Sequence, residues 1–206
     1  MSTNGQGGNQ LFLTVGGHAY NYGLNANSLS PVSPGQGLPL LSGAFLDGYF
    51  LAFSRTGFSF SGLENGTSWN ALNVAQRSSA GDPLVWGAVS HREIWLFGEQ
   101  TTEAWYNNGA SDTPFQPIPG SLMDQGAIGA TVVSADNTLF WVGDDSNVYR
   151  GGAVPAVVST PAISERIGNR VCSRSPWRYN ARPERQRGDG ECCYRTDSRG
   201  RCRRRR

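Results

Sequence analysis

Lysine is absent from this chain, and cysteine is absent from its first 171 residues. Residues 1–165, the body, therefore draw no stability from disulfides and hold no thiolate metal site. Long hydrophobic runs are missing too. No stretch approaches the roughly 18 consecutive apolar residues of a membrane-crossing helix. The opening residues, Met1 to Gly8, lack the basic and apolar regions of a signal peptide. Only two histidines occur, His18 and His91. Both fall at expected hairpin turns, where a solvated ring is the ordinary outcome. No Gly-x-Ser-x-Gly elbow, His-Glu-x-x-His helix or P-loop occurs, so the chain shows no familiar catalytic motif.

Charge is divided along the chain. The body carries 4 basic and 12 acidic groups, net −8. Residues 166–206 carry 14 arginines against 4 acids, net +10, together with all four cysteines, Cys172, Cys192, Cys193 and Cys202. Such a tail could neutralise phosphates without sequence preference. Its cysteine spacing does not match paired Cys-x-x-Cys zinc ligands. Its composition also fits translation out of frame, because a lysine-free chain points to a GC-rich gene whose shifted frames are rich in Arg, Pro, Gly and Cys codons.

What the body does contain is glycine and aromatic residues: 23 of the 27 glycines and 19 of the 22 aromatics. Glycine punctuation between aromatic and β-branched runs indicates an all-β protein. Three segments repeat one layout of strand, polar turn and stronger aromatic strand. They begin at Gly43, Gly87 and Gly129, with turns at Asp47, His91 and Asp136, 44 and 45 residues apart. Each aromatic strand then meets a second turn and another strand. A period of about 45 is that of four-stranded propeller blades, whose stacking buries both faces of each sheet. Leu11 to Tyr22 matches the second hairpin of this layout, with Gly17 standing 40 residues before Gly57. The chain is thus expected to begin inside a blade and to form an incomplete arc of about three to four blades.

Gly62-Leu63-Glu64-Asn65-Gly66-Thr67-Ser68-Trp69 resembles a degenerate Asp-box, a turn in which side chains bond the backbone while Trp69 packs beneath. Its Asn65-Gly66-Thr67 sequon reads as part of that turn. Asp144-Asp145-Ser146-Asn147 has calcium-ligand residue types without EF-hand spacing, and an acidic hairpin turn is the better reading. Glu99 and Glu103 flank a turn, but strand alternation need not bring them to one face, so no chemistry is assigned to them. Trp95, Trp105 and Trp141 could stack on sugars; their strand register favours packing between blades.

In combination, several motifs resemble the packaged-DNA stabilisation proteins of short-tailed, P22-like bacteriophages. They are Trp95-Leu96-Phe97-Gly98-Glu99, then Glu103-Ala104-Trp105-Tyr106 with Gly109, then Pro114-Phe115. Phe140-Trp141-Val142-Gly143 and Val148-Tyr149-Arg150 follow, and Asp47-Gly48 and Gly66 to Trp69 fit upstream. The resemblance covers roughly residues 10–165 and ends near Glu165–Asn169. It implies a non-enzymatic virion tail protein that extends the tail below the portal, helps retain packaged DNA and assembles in the bacterial host cytoplasm. It further implies a homo-oligomeric ring with tail and portal-adaptor partners. The residues themselves give no expectation of a cofactor, a metal or membrane contact, and the negative body makes DNA contact indirect or non-specific at most.

The expected layout is a flexible lead-in over 1–10, propeller-like blades over 11–165 and a disordered tail over 166–206. Two other functions remain open from sequence. One is a carbohydrate-binding or sialidase-like propeller, which the Asp-box-like turn suggests and the scarcity of body arginines opposes. The other is nucleic-acid binding through the basic tail.

Overall fold

The computed structural model describes residues 1–174 apart from Gln36, Leu38, Ser78 and Ala153. The remainder of the basic tail, with Cys192, Cys193 and Cys202, lies outside the described residues, and so do the readings made of it. Four antiparallel sheets of four strands follow one another along the chain. The first holds β1 (Ser2–Thr3), β2 (Gln10–Val15), β3 (His18–Gly23) and β4 (Ser28–Val32). The second holds β5 (Ser42–Leu46), β6 (Tyr49–Phe53), β7 (Gly57–Gly62) and β8 (Asn65–Gln76). The third holds β9 (Leu84–Ser90), β10 (Glu93–Gly98), β11 (Thr102–Asn107) and β12 (Phe115–Pro117). The fourth holds β13 (Val133–Ala135), β14 (Thr138–Val142), β15 (Val148–Arg150) and β16 (Ala156–Val157). A helical turn, α1 (Gly5–Gly8), lies between β1 and β2, and a helix, α2 (Pro161–Arg174), follows β16.

The first sheet has four strands rather than the part of a blade that the sequence pattern suggests. Ser2–Thr3 pairs with Leu11–Phe12 and completes the first sheet. A two-residue polar strand carries no period-two hydrophobic signal, so only the β2–β3 hairpin was legible. Helix α2 also crosses the 165/166 boundary that the charge split marks.

Burial explains why the second strand of each layout is the strongest. In β6, Phe50 and Ala52 face the first sheet, while Leu51 and Phe53 face the third. In β10, Ile94 and Leu96 face the second sheet, while Trp95 and Phe97 face the fourth. A strand covered on both faces needs apolar residues at every position rather than at alternate ones. Three apolar cores result, one in each seam between consecutive sheets. Among the described residues no core joins the first sheet to the fourth, and Leu11, Leu13, Tyr20 and Tyr22 are only half-buried on the first sheet's far side.

The repeated turns are real. Asp47-Gly48, His91-Arg92 and Asp136-Asn137 all have positive φ at both positions, between 46° and 87°. This is the turn whose twist matches paired strands, and Asp, Asn and Gly adopt it most easily. The glycine that opens each segment behaves differently. Gly43 and Gly87 lie in β5 and β9 directly against Phe12 and Phe53 of the preceding sheet. A Cβ on Gly43 would stand 2.6 Å from the Phe12 ring, and one on Gly87 would overlap the Phe53 ring more deeply. Gly129 instead sits in a turn with φ +53° and open space around it. The third segment becomes a strand only at Val133, and Ala127 fills the seam in its place. Gly87→Ala is accordingly expected to destabilise the fold by about 1–3 kcal/mol through overpacking. Gly43→Ala should cost less than Gly87→Ala in urea denaturation, because its Cβ meets its ring less deeply; equal midpoints for Gly87→Ala and wild type would contradict the stacking described.

Candidate functional site

Most of the motif aromatics gather around the third sheet and its two seams. Toward the second sheet, Trp105 meets Phe58 edge-on at 5.6 Å, and Phe115 packs against Tyr49, Phe58 and Phe60 at 5.4–5.6 Å. Toward the fourth, Phe97 lies 5.2 Å from Trp141, Trp95 lies 6.4 Å from it, and Tyr149 stacks on it at 5.6 Å. Trp141 is 1% exposed and Trp105 6% exposed. These rings are core, with no open face for a sugar. Tyr106, on the other face of β11, is exposed, and Phe140 is half-buried on the far side of the fourth sheet.

The remaining motif residues shape turns. Asp47 Oδ1 pairs with Arg92 at 2.8 Å and its Oδ2 accepts from Asn107 at 3.3 Å, so one carboxylate joins the rims of the second and third blades. A Cβ on Gly48 would stand 2.6 Å from Leu63. Gly66 donates its N–H to Gln10 at 2.8 Å and fits against Phe50 and Asn21. Trp69 donates to the Gly66 carbonyl at 2.8 Å and lies 5.4 Å from Phe12. The Asp-box-like turn thus works structurally, though Asn65 supplies its side-chain bonds to Thr67. Gly143 leaves room for Tyr149 and Asp145.

The two glutamates occupy unlike environments. Glu99 is half-exposed and pairs with Arg55 at 3.1 Å. Glu103 is buried and accepts from the Trp105 indole at 2.8 Å, with Arg77 Nε 3.6 Å from the same oxygen. Its other oxygen has no hydrogen-bond partner, and neither has Arg77 Nε. Arg77 also pairs with Asp82 at 3.3 Å and donates to Thr101. Sequence reasoning marked Asp82 only as the start of the family-like Asp82-Pro83-Leu84-Val85 motif and gave no role to Arg77 or Thr101. One available signal was an arginine standing in an arginine-poor body just before the Asp82-Pro83 motif. Burial pushes the Asp82 carboxyl up, but hydrogen bonds from Gln100 and Thr101 and the Arg77 charge outweigh it, leaving the pKa below its ordinary value.

At the fourth sheet, Asp145 accepts from the Asn147 N–H and side-chain amide and from the Tyr149 hydroxyl, the last at 2.7 Å. Burial, and then that carboxylate, push the Tyr149 phenol up to about 12. The Asp144–Asn147 stretch is therefore an internally bonded turn. Among the described residues no group of three or more His, Cys, Asp or Glu side chains could hold a metal, and no helix is long and apolar enough to cross a membrane. His18 and His91 are both exposed. A cleft of about 350 Å³ lies beside His18, Tyr20, Pro31 and Val32.

A protein-family model described as bacteriophage P22 Gp10, beta-propeller, matches residues 6–169. No curated protein matches the sequence significantly. Two crystal structures of the extracellular domain of BT4673 from B. thetaiotaomicron match, one described as part of a one-component system and the other as part of a hybrid two-component system. Each has a TM-score of 0.53 at 11% identity, over 79% of this chain. This chain covers only 22% of either. At that identity the likeness concerns the fold alone.

Proposed function

Because the chain belongs to the phage-stabilisation family of P22 Gp10-type β-propellers, we propose that it is a structural component of a phage tail that helps retain packaged DNA. On this reading it sits in the virion below the portal, extends or plugs the tail channel, and is assembled in the host cytoplasm. Its partners are portal-adaptor and other tail proteins and further copies of itself. The observation that carries this is the match of one family model across all four blades. The motif residues support it from another side, because they are engaged in seams and turns rather than arranged around a reaction centre. Catalysis is no part of the proposal. The net −8 of the body disfavours extensive contact with phosphates on its surface.

A sialidase-like role fits less well. All four body arginines are engaged with carboxylates: Arg55 with Glu99, Arg77 with Asp82, Arg92 with Asp47 and Arg150 with Asp136. None is left to cluster around a substrate carboxylate. Nucleic-acid binding through the tail rests mainly on residues outside those described. The test is deletion of the encoding gene in its phage or prophage. Heads should fill with DNA and then lose it, giving few infectious particles. Normal yields of stable, DNA-filled particles would refute the role.

A further inference from the structure

We propose that Asp82 is an acid-operated latch on the turn that ties the third blade to the fourth. Asp82 stands just before β9, and its carboxylate accepts three bonds from the β10–β11 turn. These are the Gln100 N–H at 2.8 Å, the Thr101 N–H at 3.1 Å and the Thr101 hydroxyl at 2.7 Å. The same stretch anchors the linker into the fourth blade. Ala127 donates its N–H to the Gly98 carbonyl at 2.9 Å, and Gln125 accepts the Thr102 hydroxyl at 2.7 Å. Gly98 makes the arrangement possible, because a Cβ there would collide with both Asp82 and Arg77.

The charged groups around the latch come from three segments. Arg77 follows β8 and pairs with Asp82. Glu103 on β11 shares Arg77 from the other side. Arg55 and Glu99 form an exposed pair nearby, Arg55 on the β6–β7 turn and Glu99 on the latched turn itself. A protonated Asp82 offers these donors a neutral acceptor in place of a charged one and loses its attraction for Arg77. The turn then loosens, and the Gly98–Ala127 tie with it. The bonds that favour the ionised form hold the folded pKa below its ordinary value. The latch therefore contributes fully above the ordinary carboxylate range and is lost as pH falls through that lowered value.

The test is hydrogen–deuterium exchange on the full chain at about pH 6 and about pH 2.5, corrected for intrinsic rates. Peptides covering 98–102 and 125–127 should lose about tenfold or more of their protection at the acidic pH, while the 49–53 peptide keeps its own. The D82N variant should show the same local loss already at about pH 6, with little further change on acidification. Should D82N not fold, the wild-type comparison decides alone. Unchanged protection in the two linked peptides, or a loss shared equally with 49–53, would overturn the latch.

Discussion

Trp141→Ala is expected to destabilise the protein by about 3–5 kcal/mol in urea denaturation, the range for emptying a buried aromatic site. Trp141 is 1% exposed, stacks on Tyr149 and touches Phe97 and Trp95 across the third seam. Its removal opens a cavity in a core built from two sheets, which cannot collapse without moving one of them. Tyr106→Ala is the matched control, because Tyr106 belongs to the same motif set but is 37% exposed. It should cost under about 1 kcal/mol. A reversed order, with Tyr106 the more costly, would mean that the motif aromatics do not serve blade packing.

The second large effect is expected at Arg77. Arg77→Met leaves Asp82 and Glu103 buried without their shared counter-ion. The Arg77 side chain is 2% exposed, and those of Asp82 and Glu103 are 12% and 2% exposed. Breaking a buried pair by removing one partner typically costs about 3–5 kcal/mol, because a desolvated charge is left behind. Adding Glu103→Gln to Arg77→Met should recover part of that loss, since one stranded charge is removed. Strictly additive losses in that double-mutant cycle would show that Arg77 and Glu103 do not interact. Acidification should also narrow the gap between Arg77→Met and wild type. The favourable Arg77–Asp82 term in wild type is lost as pH falls through the lowered Asp82 value.

Much of the blade architecture was legible because stacking writes itself into sequence twice. Strands covered on both faces carry continuous apolar runs, as from Phe50 to Phe53 in the second sheet and from Ile94 to Phe97 in the third. The hairpins between them need positive φ, which Asp47-Gly48 and Asp136-Asn137 advertise. His91-Arg92 adopts the same turn without the favoured residues, and only the spacing exposed it. Short strands were not legible: Ser2–Thr3 and Ala156–Val157 are fixed by their neighbours rather than by their own pattern. Gly129 misled for a related reason. A glycine in sequence shows that a side chain is missing, but not whether a neighbour's ring or a turn requires it. Strand register pointed Trp95, Trp105 and Trp141 into packing, and all three lie in the cores between sheets, whereas Tyr106 of the same motif set is exposed. The Arg77–Asp82–Glu103 cluster was not found, because the β8–β9 connection that carries Arg77 and Asp82 meets Glu103 on a strand two elements further on, and no local spacing records it.

The most direct test of the central claim is cryo-electron microscopy of the virions of the encoding phage, with mass spectrometry of the purified particles. The expected result is this polypeptide in the tail below the portal, with four consecutive four-stranded blades fitting the density in the order found here. Its absence from purified particles, or its placement away from the portal and tail axis, would contradict a role in retaining packaged DNA.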